Sequence, residues 1–369
     1  MDLKRNILVS TLILCGIGIV MIYSASSYVG SVKYGDSLFY VKKQGLALLL
    51  GLVCMYLASR MDITKIERFG LPIYIVGLVL LLIIFIPGVG SNAYGATRWI
   101  DLRVITFQPS EIAKFTLVVF LAKLFSKKHP TTIASMIIPI LVVACMLVAV
   151  LLEPNMSCAI CMAAISMIMF IVGGIRFRHA VAFASLGIGG GIALIFAEPY
   201  RIKRLMAYLD PWSSPRGEGY QLIQSYYALG SGGLFGVGLF ASRQKYLYLP
   251  FSESDFIFSI IGEELGVIGC VVVLLIFSVY IASGIAIAIK SDERFKSLLA
   301  LGIVSVVSVQ TILNVAVVTG SIPPTGLPLP FISAGGSSLI VFLIATGVLI
   351  SIDTEKIKQA KRNWVRMTS

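Results

Sequence analysis

Long runs with almost no charge recur along this chain, and polar residues gather in short clusters between them. Many of these runs are roughly 18 residues or more, enough to cross a hydrocarbon core of ~30 Å as a helix. The pattern predicts ten spans, near 7–24, 45–59, 69–88, 107–126, 133–152, 155–174, 180–197, 256–288, 298–320 and 336–352. The second is short and can begin earlier, around Tyr40. A backbone in lipid must satisfy its own hydrogen bonds, so uninterrupted apolar runs read as helices. The segments of ~10 alternating residues that mark a membrane β-barrel are absent from the pattern. A buried soluble core is the alternative reading, and it does not explain so many runs of full membrane width.

Ten spans place both termini on one side. Eighteen Lys and Arg fall on that side, among them Lys4, Arg60, Lys127, Arg176, Lys290 and Lys356. Eleven fall on the other, and Lys114 lies within a span. Positive charge concentrates in short cytoplasmic loops, so both termini are predicted to be cytoplasmic. Six of the eleven outer charges sit in one long loop, which weighs less in that rule.

Composition agrees: 57% of the chain is hydrophobic and 13% charged, against about 45–50% apolar in soluble domains. The net charge of +12 would point to nucleic acid in a soluble protein, but here it sorts by membrane side. No nucleic-acid partner is expected. Lys4 and Arg5 precede an apolar run too long for a signal peptide, with no A-x-A site after it, so that run is the first span. All six cysteines fall in apolar runs, where they read as small packing residues.

The chain reads as one integral membrane domain, 1–369, with two features outside the spans. The first is a large extracytoplasmic loop at 198–255, between spans seven and eight. It is too short and polar for a separate domain, and segments such as Tyr220 to Leu229 suit helices along the membrane surface. The second is a basic cytoplasmic tail at 353–369, suited to anionic lipid. A further outer segment, "GSIPPTGLPLPFISAGGSS" from Gly320, is too rich in Pro and Gly to be helical throughout.

Three charged groups stand out against this apolar background. In "YLYLPFSESDFIFSIIGEELG", Asp255 lies where span eight begins on the outer side. Ser254 or Asp255 there suits a helix N-cap, and equally a functional acid. Glu263 and Glu264 lie about two turns deeper; adjacent helical positions point ~100° apart, so both are not expected to face one partner. In "FQPSEIAKF", Glu111 and Lys114 can pair on one helix face, either locking helices together or lining a polar cavity open to the outside. Arg98, in "GATRWIDL", suits an interfacial anchor or a phosphate contact. Arg201, Arg204, Arg243 and Lys245 alternate with tyrosines in the long loop, as for anionic headgroups or a lipid-borne pyrophosphate. Walker, HExxH, GxSxG and metal-ligand motifs are absent. His129 and His179 both fall on the cytoplasmic side, which excludes histidine chemistry outside. These residues fit either an enzyme acting on lipid-linked phosphates or a transporter of them.

Four stretches carry a resemblance: "PYRIKRLMAYLDPW", "GYQLIQSYYALGSGGLFGVGL", "SRQKYLYLPFSESDFIF" with "EELG", and "GSIPPTGLPLPFISAGGSSL". Together with "YSAS" at Tyr23 they resemble, in order and spacing, the SEDS proteins of shape, elongation, division and sporulation. The pattern is closest to the FtsW and SpoVE branch. The resemblance implies a bacterial peptidoglycan glycosyltransferase of the cytoplasmic membrane. It polymerises lipid II, the glycan borne on undecaprenyl pyrophosphate, on the outer face during division or sporulation. Its implied partner is a class B penicillin-binding protein that supplies the transpeptidase. The family's catalytic acid falls on Asp255, its paired acid and lysine on Glu111 and Lys114, and its arginine after the third span on Arg98. Three departures are visible: Ser254 where Thr is usual, Glu153-Pro154-Asn155 where Gln-Pro-Asp is usual, and Ala334 where an aromatic is usual. A lipid II flippase and a non-catalytic division scaffold are the competing readings.

Lipid II is α-linked and its polymer β-linked, so a single displacement with inversion is implied. That chemistry needs one general base and a means of stabilising the leaving pyrophosphate. Asp255 is the expected base. Arg98, Lys114, Arg201, Arg204, Arg243 and Lys245, or a divalent cation such as Mg or Mn, are expected to offset the leaving charge. Ser254, Glu263 and Glu264 are expected to support the start of span eight.

Overall fold

A computed structural model describes residues 2–86, 90–93, 96–101 and 106–368, with side chains described outside 91–97, 101–106 and 356–368. Thirteen α-helices account for most of these residues. The long apolar runs become α1 (Leu3–Tyr34), α2 (Phe39–Ala58), α4 (Gly70–Ile83) after a short α3 (Ile63–Arg68), α5 (Pro109–Lys127), α6 (Ile133–Leu152), α7 (Met156–Gly173) and α8 (Phe177–Phe196). Two short helices of the long loop follow, α9 (Pro199–Leu209) and α10 (Tyr220–Gly232), then α11 (Ile257–Lys290), α12 (Arg294–Val318) and α13 (Gly336–Thr368). Eight of these are long and apolar enough to cross a membrane: α1, α2, α6, α7, α8, α11, α12 and the first twenty residues of α13.

Local chemistry sets the ends. Asp2 caps α1 by accepting from the Arg5 amide, and Thr132 with Ser135 forms a reciprocal capping box on α6. Asn155 caps α7 through the Cys158 amide, and Pro109 occupies the first turn of α5, where its missing N–H costs nothing. α1 extends past its apolar run at both ends, because flanking polar residues continue it to a cap, whereas α6 matches its run and α4 ends short of it. α2 starts at Phe39, close to the earlier of the two expected starts.

α12 lies at the centre and packs against α5, α7, α11 and α13. α1 joins α11, α2 joins α13, and α4 joins α5 around it. α8 is peripheral, and none of its side chains is buried. An apolar helix without a buried face suits contact with lipid on most sides.

Two departures from the expected pattern are structural. Residues 90–107 contain a small antiparallel sheet in the order β1 (Gly90–Ala93), β2 (Ala96–Asp101), β3 (Thr106–Phe107), with Gly90 opposite Ile100 and Ile100 opposite Phe107. Its strands are too short for a clear alternating pattern. Arg103, counted among the outer charges, lies outside the described residues. The second is in α10, which turns Leu222, Ile223 and Ala228 into the protein against α11 instead of lying free on a surface.

α11 is kinked at Gly266, whose φ of 67° and ψ of −168° are open to glycine. The kink frees the carbonyls of Glu263 and Glu264. The amides of Val237 and Gly238 fill them, and the amides of Val267 and Ile268 donate to Gly233 and Leu234. A Cβ on Gly236 would strike the Glu264 carbonyl. The glycine-rich "GSGGLFGVG" is therefore a backbone patch over a broken helix.

Candidate functional site

The patch delivers the next loop to the two acids of "EELG". Glu263 accepts from the Ser242 hydroxyl and, at 2.9 Å, from the Arg243 amide. Glu264 accepts from the Ser24 hydroxyl at 2.5 Å, the Ser242 amide at 3.2 Å and the Lys245 ammonium at 3.3 Å. The two acids thus share one partner loop, contrary to the expectation from their angular separation. The chain folds back across the kink, so a single loop meets both faces. Lys245 is only 4% exposed and also donates to the Phe240 carbonyl and Ser24. Its ammonium is held inside this network and does not face an open pyrophosphate site.

Glu111 and Lys114 pair at 2.8 Å on α5, as their spacing predicts, but they are 1% and 0% exposed. They do not line an open cavity. Ser338 donates to the second Glu111 oxygen, and the ammonium also donates to Gln310 and lies over the Phe342 ring. A buried pair is retained at low cost only when its remaining hydrogen bonds are met, as here.

Asp255 stands on the last turn before α11. The N-cap position is Phe256 and makes no side-chain cap, so neither Ser254 nor Asp255 serves as the cap. The segment is held by its main chain. The Ser254 carbonyl accepts from Ser333 at 2.6 Å, the Glu253 carbonyl from the Ala334 amide at 2.9 Å, and the Asp255 carbonyl from Asn314 at 2.8 Å. Asp255 as a whole is half-buried, and its carboxyl lies within the protein. Its Oδ2 lies 3.3 Å from where a Cβ on Gly326 would be, and Gly326 is exposed. The surrounding protein, and then the neighbouring Glu253, push Asp255 up to about 7, against the pull of Arg98 and Arg204.

Arg98 projects from β2. Its guanidinium donates to the carbonyls of Glu153 and Pro154, which fixes it at the end of α6. Arg204 on α9 pairs with Glu218 at 3.4 Å and lies over the Tyr200 ring. Arg201 donates to the Leu194 carbonyl at 2.7 Å, and the Arg243 side chain is exposed. Of the expected basic pool, Arg98 and Arg204 are the two whose charge reaches Asp255. Lys114 and Lys245 are committed elsewhere. Among the described residues no group of three or more His, Cys, Asp or Glu is gathered.

The charged clusters led the sequence reading past several polar residues. Gln310 and Asn314 lie four apart in the apolar α12, a spacing that puts both on one face and was legible as such. Glu153 is 0% exposed, and among the described residues neither carboxyl oxygen has a hydrogen-bond partner.

Comparison with known proteins gives this geometry a context. Stage V sporulation protein E of Bacillus subtilis is 40% identical over 349 residues, covering 94% of this chain and 95% of that protein. A probable peptidoglycan glycosyltransferase FtsW from a Geobacter species is 38% identical over 351 residues, covering 94% and 96%. A chain of a peptidoglycan synthase complex that coordinates polymerization and crosslinking superposes with a TM-score of 0.79 at 26% identity, covering 95% and 97%. The rod shape determining protein RodA of Thermus thermophilus shares the fold, with a TM-score of 0.70 at 24% identity over 95% and 96%. Residues 5–358 match the family model of the FtsW, RodA and SpoVE cell cycle proteins, and the chain belongs to that family.

Proposed function

We propose that this protein is a peptidoglycan glycosyltransferase that polymerises lipid II into β-1,4 glycan on the outer face of a bacterial cytoplasmic membrane. The observation that carries the reading is Asp255. Its carboxylate lies beside the exposed Gly326, its pKa is raised to about 7, and the charges of Arg98 and Arg204 pull against that rise. In the reaction, Asp255 takes the proton from the attacking 4-hydroxyl. That oxygen bonds to the anomeric carbon as the carbon–oxygen bond to pyrophosphate breaks, and the configuration inverts. Arg98 and Arg204 offset the charge that develops on the pyrophosphate. A base poised near the working pH is the most effective, and a value of about 7 suits this task.

The mechanism requires Asp255 outside the membrane. Ten spans give that arrangement, with α4 and α5 added to the eight helices that are long and apolar enough on their own. The fourteen residues of α4 rise about 21 Å, and the apolar turn at Ile84–Ile86 extends that run. α5 crosses with its charges neutralised by its own ion pair and by Gln310. Both termini are then cytoplasmic and residues 198–255 are outside, consistent with the bias of positive charge. A class B penicillin-binding protein is the proposed partner, since a chain of similar fold belongs to a peptidoglycan synthase complex that coordinates polymerization and crosslinking.

The test uses purified protein, its partner and lipid II, with glycan chains resolved on a gel. Wild-type protein yields chains, and its rate rises as pH passes through about 7 while Asp255 ionises. Asp255→Asn folds and binds its partner but yields none. Near-normal polymer from Asp255→Asn removes the base assignment. Lipid II transport across vesicles without polymer would favour a flippase.

A further inference from the structure

Asn314 is 1% exposed on α12, deep beside the segment that carries Asp255. Its Nδ2 donates to two carbonyls at once, Asp255 and Leu327, each at 2.8 Å. Both neighbours are acceptors, so only the amino half of the amide can face them. One turn earlier Gln310 donates to the next carbonyl, Pro328, also at 2.8 Å. Its own oxygen takes the Lys114 ammonium, which leaves the amino half to point at the loop. Lys114 is in turn fixed by Glu111, and Glu111 by Ser338 on α13.

The loop they grip needs such donors from outside. Pro323, Pro324, Pro328 and Pro330 have no N–H, so this stretch offers carbonyls without making its own ladder. Gly326, exposed and close to the Asp255 carboxylate, directly precedes the gripped carbonyls. One side-chain amide therefore spans the two walls between which an acceptor hydroxyl would approach the base. We propose that Asn314, braced by Gln310 and the buried Lys114–Glu111 pair, is the positioning residue that sets Asp255 against the Pro-rich loop.

This inference rests on Asp255 as the base, and the experiment separates the two. Asn314→Leu keeps volume and removes the amide. Hydrogen–deuterium exchange of the complex should quicken in both 251–256 and 326–334. Polymerisation at saturating lipid II should fall about 10- to 100-fold with little change in KM, as a misplaced base predicts. The acid limb of the residual activity should move below its wild-type position, because a slackened segment admits water to the carboxylate. Gln310→Leu should show the same changes more weakly, and it decides the matter if Asn314→Leu fails to fold. Unchanged exchange in both segments overturns the tie, whatever the status of Asp255. A lower rate with an unmoved acid limb overturns the positioning role and leaves a structural one. Failure of the base reading shows separately, as polymer from Asp255→Asn.

Discussion

Glu153 sits at the C-terminal end of α6, where exposed helix carbonyls disfavour a negative charge. It is fully buried, neither oxygen has a hydrogen-bond partner among the described residues, and the nearby Arg98 donates to main-chain carbonyls rather than to the carboxyl. Burial raises its pKa from 4.5 to about 8, with Arg98 opposing. In the unfolded chain the group ionises at an ordinary carboxylate pKa. At pH 7 folding must therefore protonate it, across about 2.5 units, a cost of about 3.5 kcal/mol at about 1.4 kcal/mol per unit. The sign follows from the raised value. Below pH ~4.5 both states are protonated and the cost is absent; it grows as pH rises and levels off above pH ~8.

Glu153→Gln preserves shape and removes the titration. Thermal melting of detergent-purified protein between pH 4.5 and 8.5 should show the variant gaining on wild type steadily as pH rises. The gain should be greatest at the alkaline end. Asp255 titrates in the same window in both proteins, so the difference isolates position 153. Two curves running parallel across the range would refute the reasoning, for they would mean that Glu153 finds a partner or water that keeps it an ordinary acid.

Lys114→Met alone should destabilise by about 3–5 kcal/mol because Glu111 is left buried and charged; adding Glu111→Gln should recover expression better than polymerisation, and a fully active double variant would reduce the pair to packing. Gly326→Val should lower polymerisation more than partner binding, since its side chain would begin 3.3 Å from the Asp255 oxygen; unaltered rates would mean that the acceptor approaches from another side. In cells lacking native cysteines, a cysteine at the exposed Ser213 should react with an impermeant thiol reagent, and one at the exposed Lys128 only after the membrane is opened; the reverse pattern would place Asp255 in the cytoplasm.

The helices were legible because lipid leaves the backbone one economical solution, and a full-width apolar run states it directly. The sheet at 90–107 was not, because strands of two to six residues carry too little pattern. The pairing of Glu111 with Lys114 followed from spacing, but its burial did not. Spacing on one helix says nothing of what covers it, and here Ser338, Gln310 and Phe342 arrive from α12 and α13. The same limit explains Lys245. A lysine among tyrosines in an outer loop reads as free, and only the kink at Gly266 brings Glu264 beneath it.

Charge attracted the sequence reading, yet around Asp255 uncharged groups do most of the holding. Its segment is fixed through the carbonyls of residues 253–255, taken by Ala334, Ser333 and Asn314. A carbonyl is present at every position, so sequence cannot mark the ones that matter. A base that must remain partly open to its acceptor cannot be locked through its own carboxylate without losing basicity. Main-chain attachment avoids that conflict. It keeps the Asp255 carboxylate out of the hydrogen bonds that hold the segment and within the pull of Arg98 and Arg204, and it makes precision at the site depend on neutral residues of α12 and the Pro-rich loop.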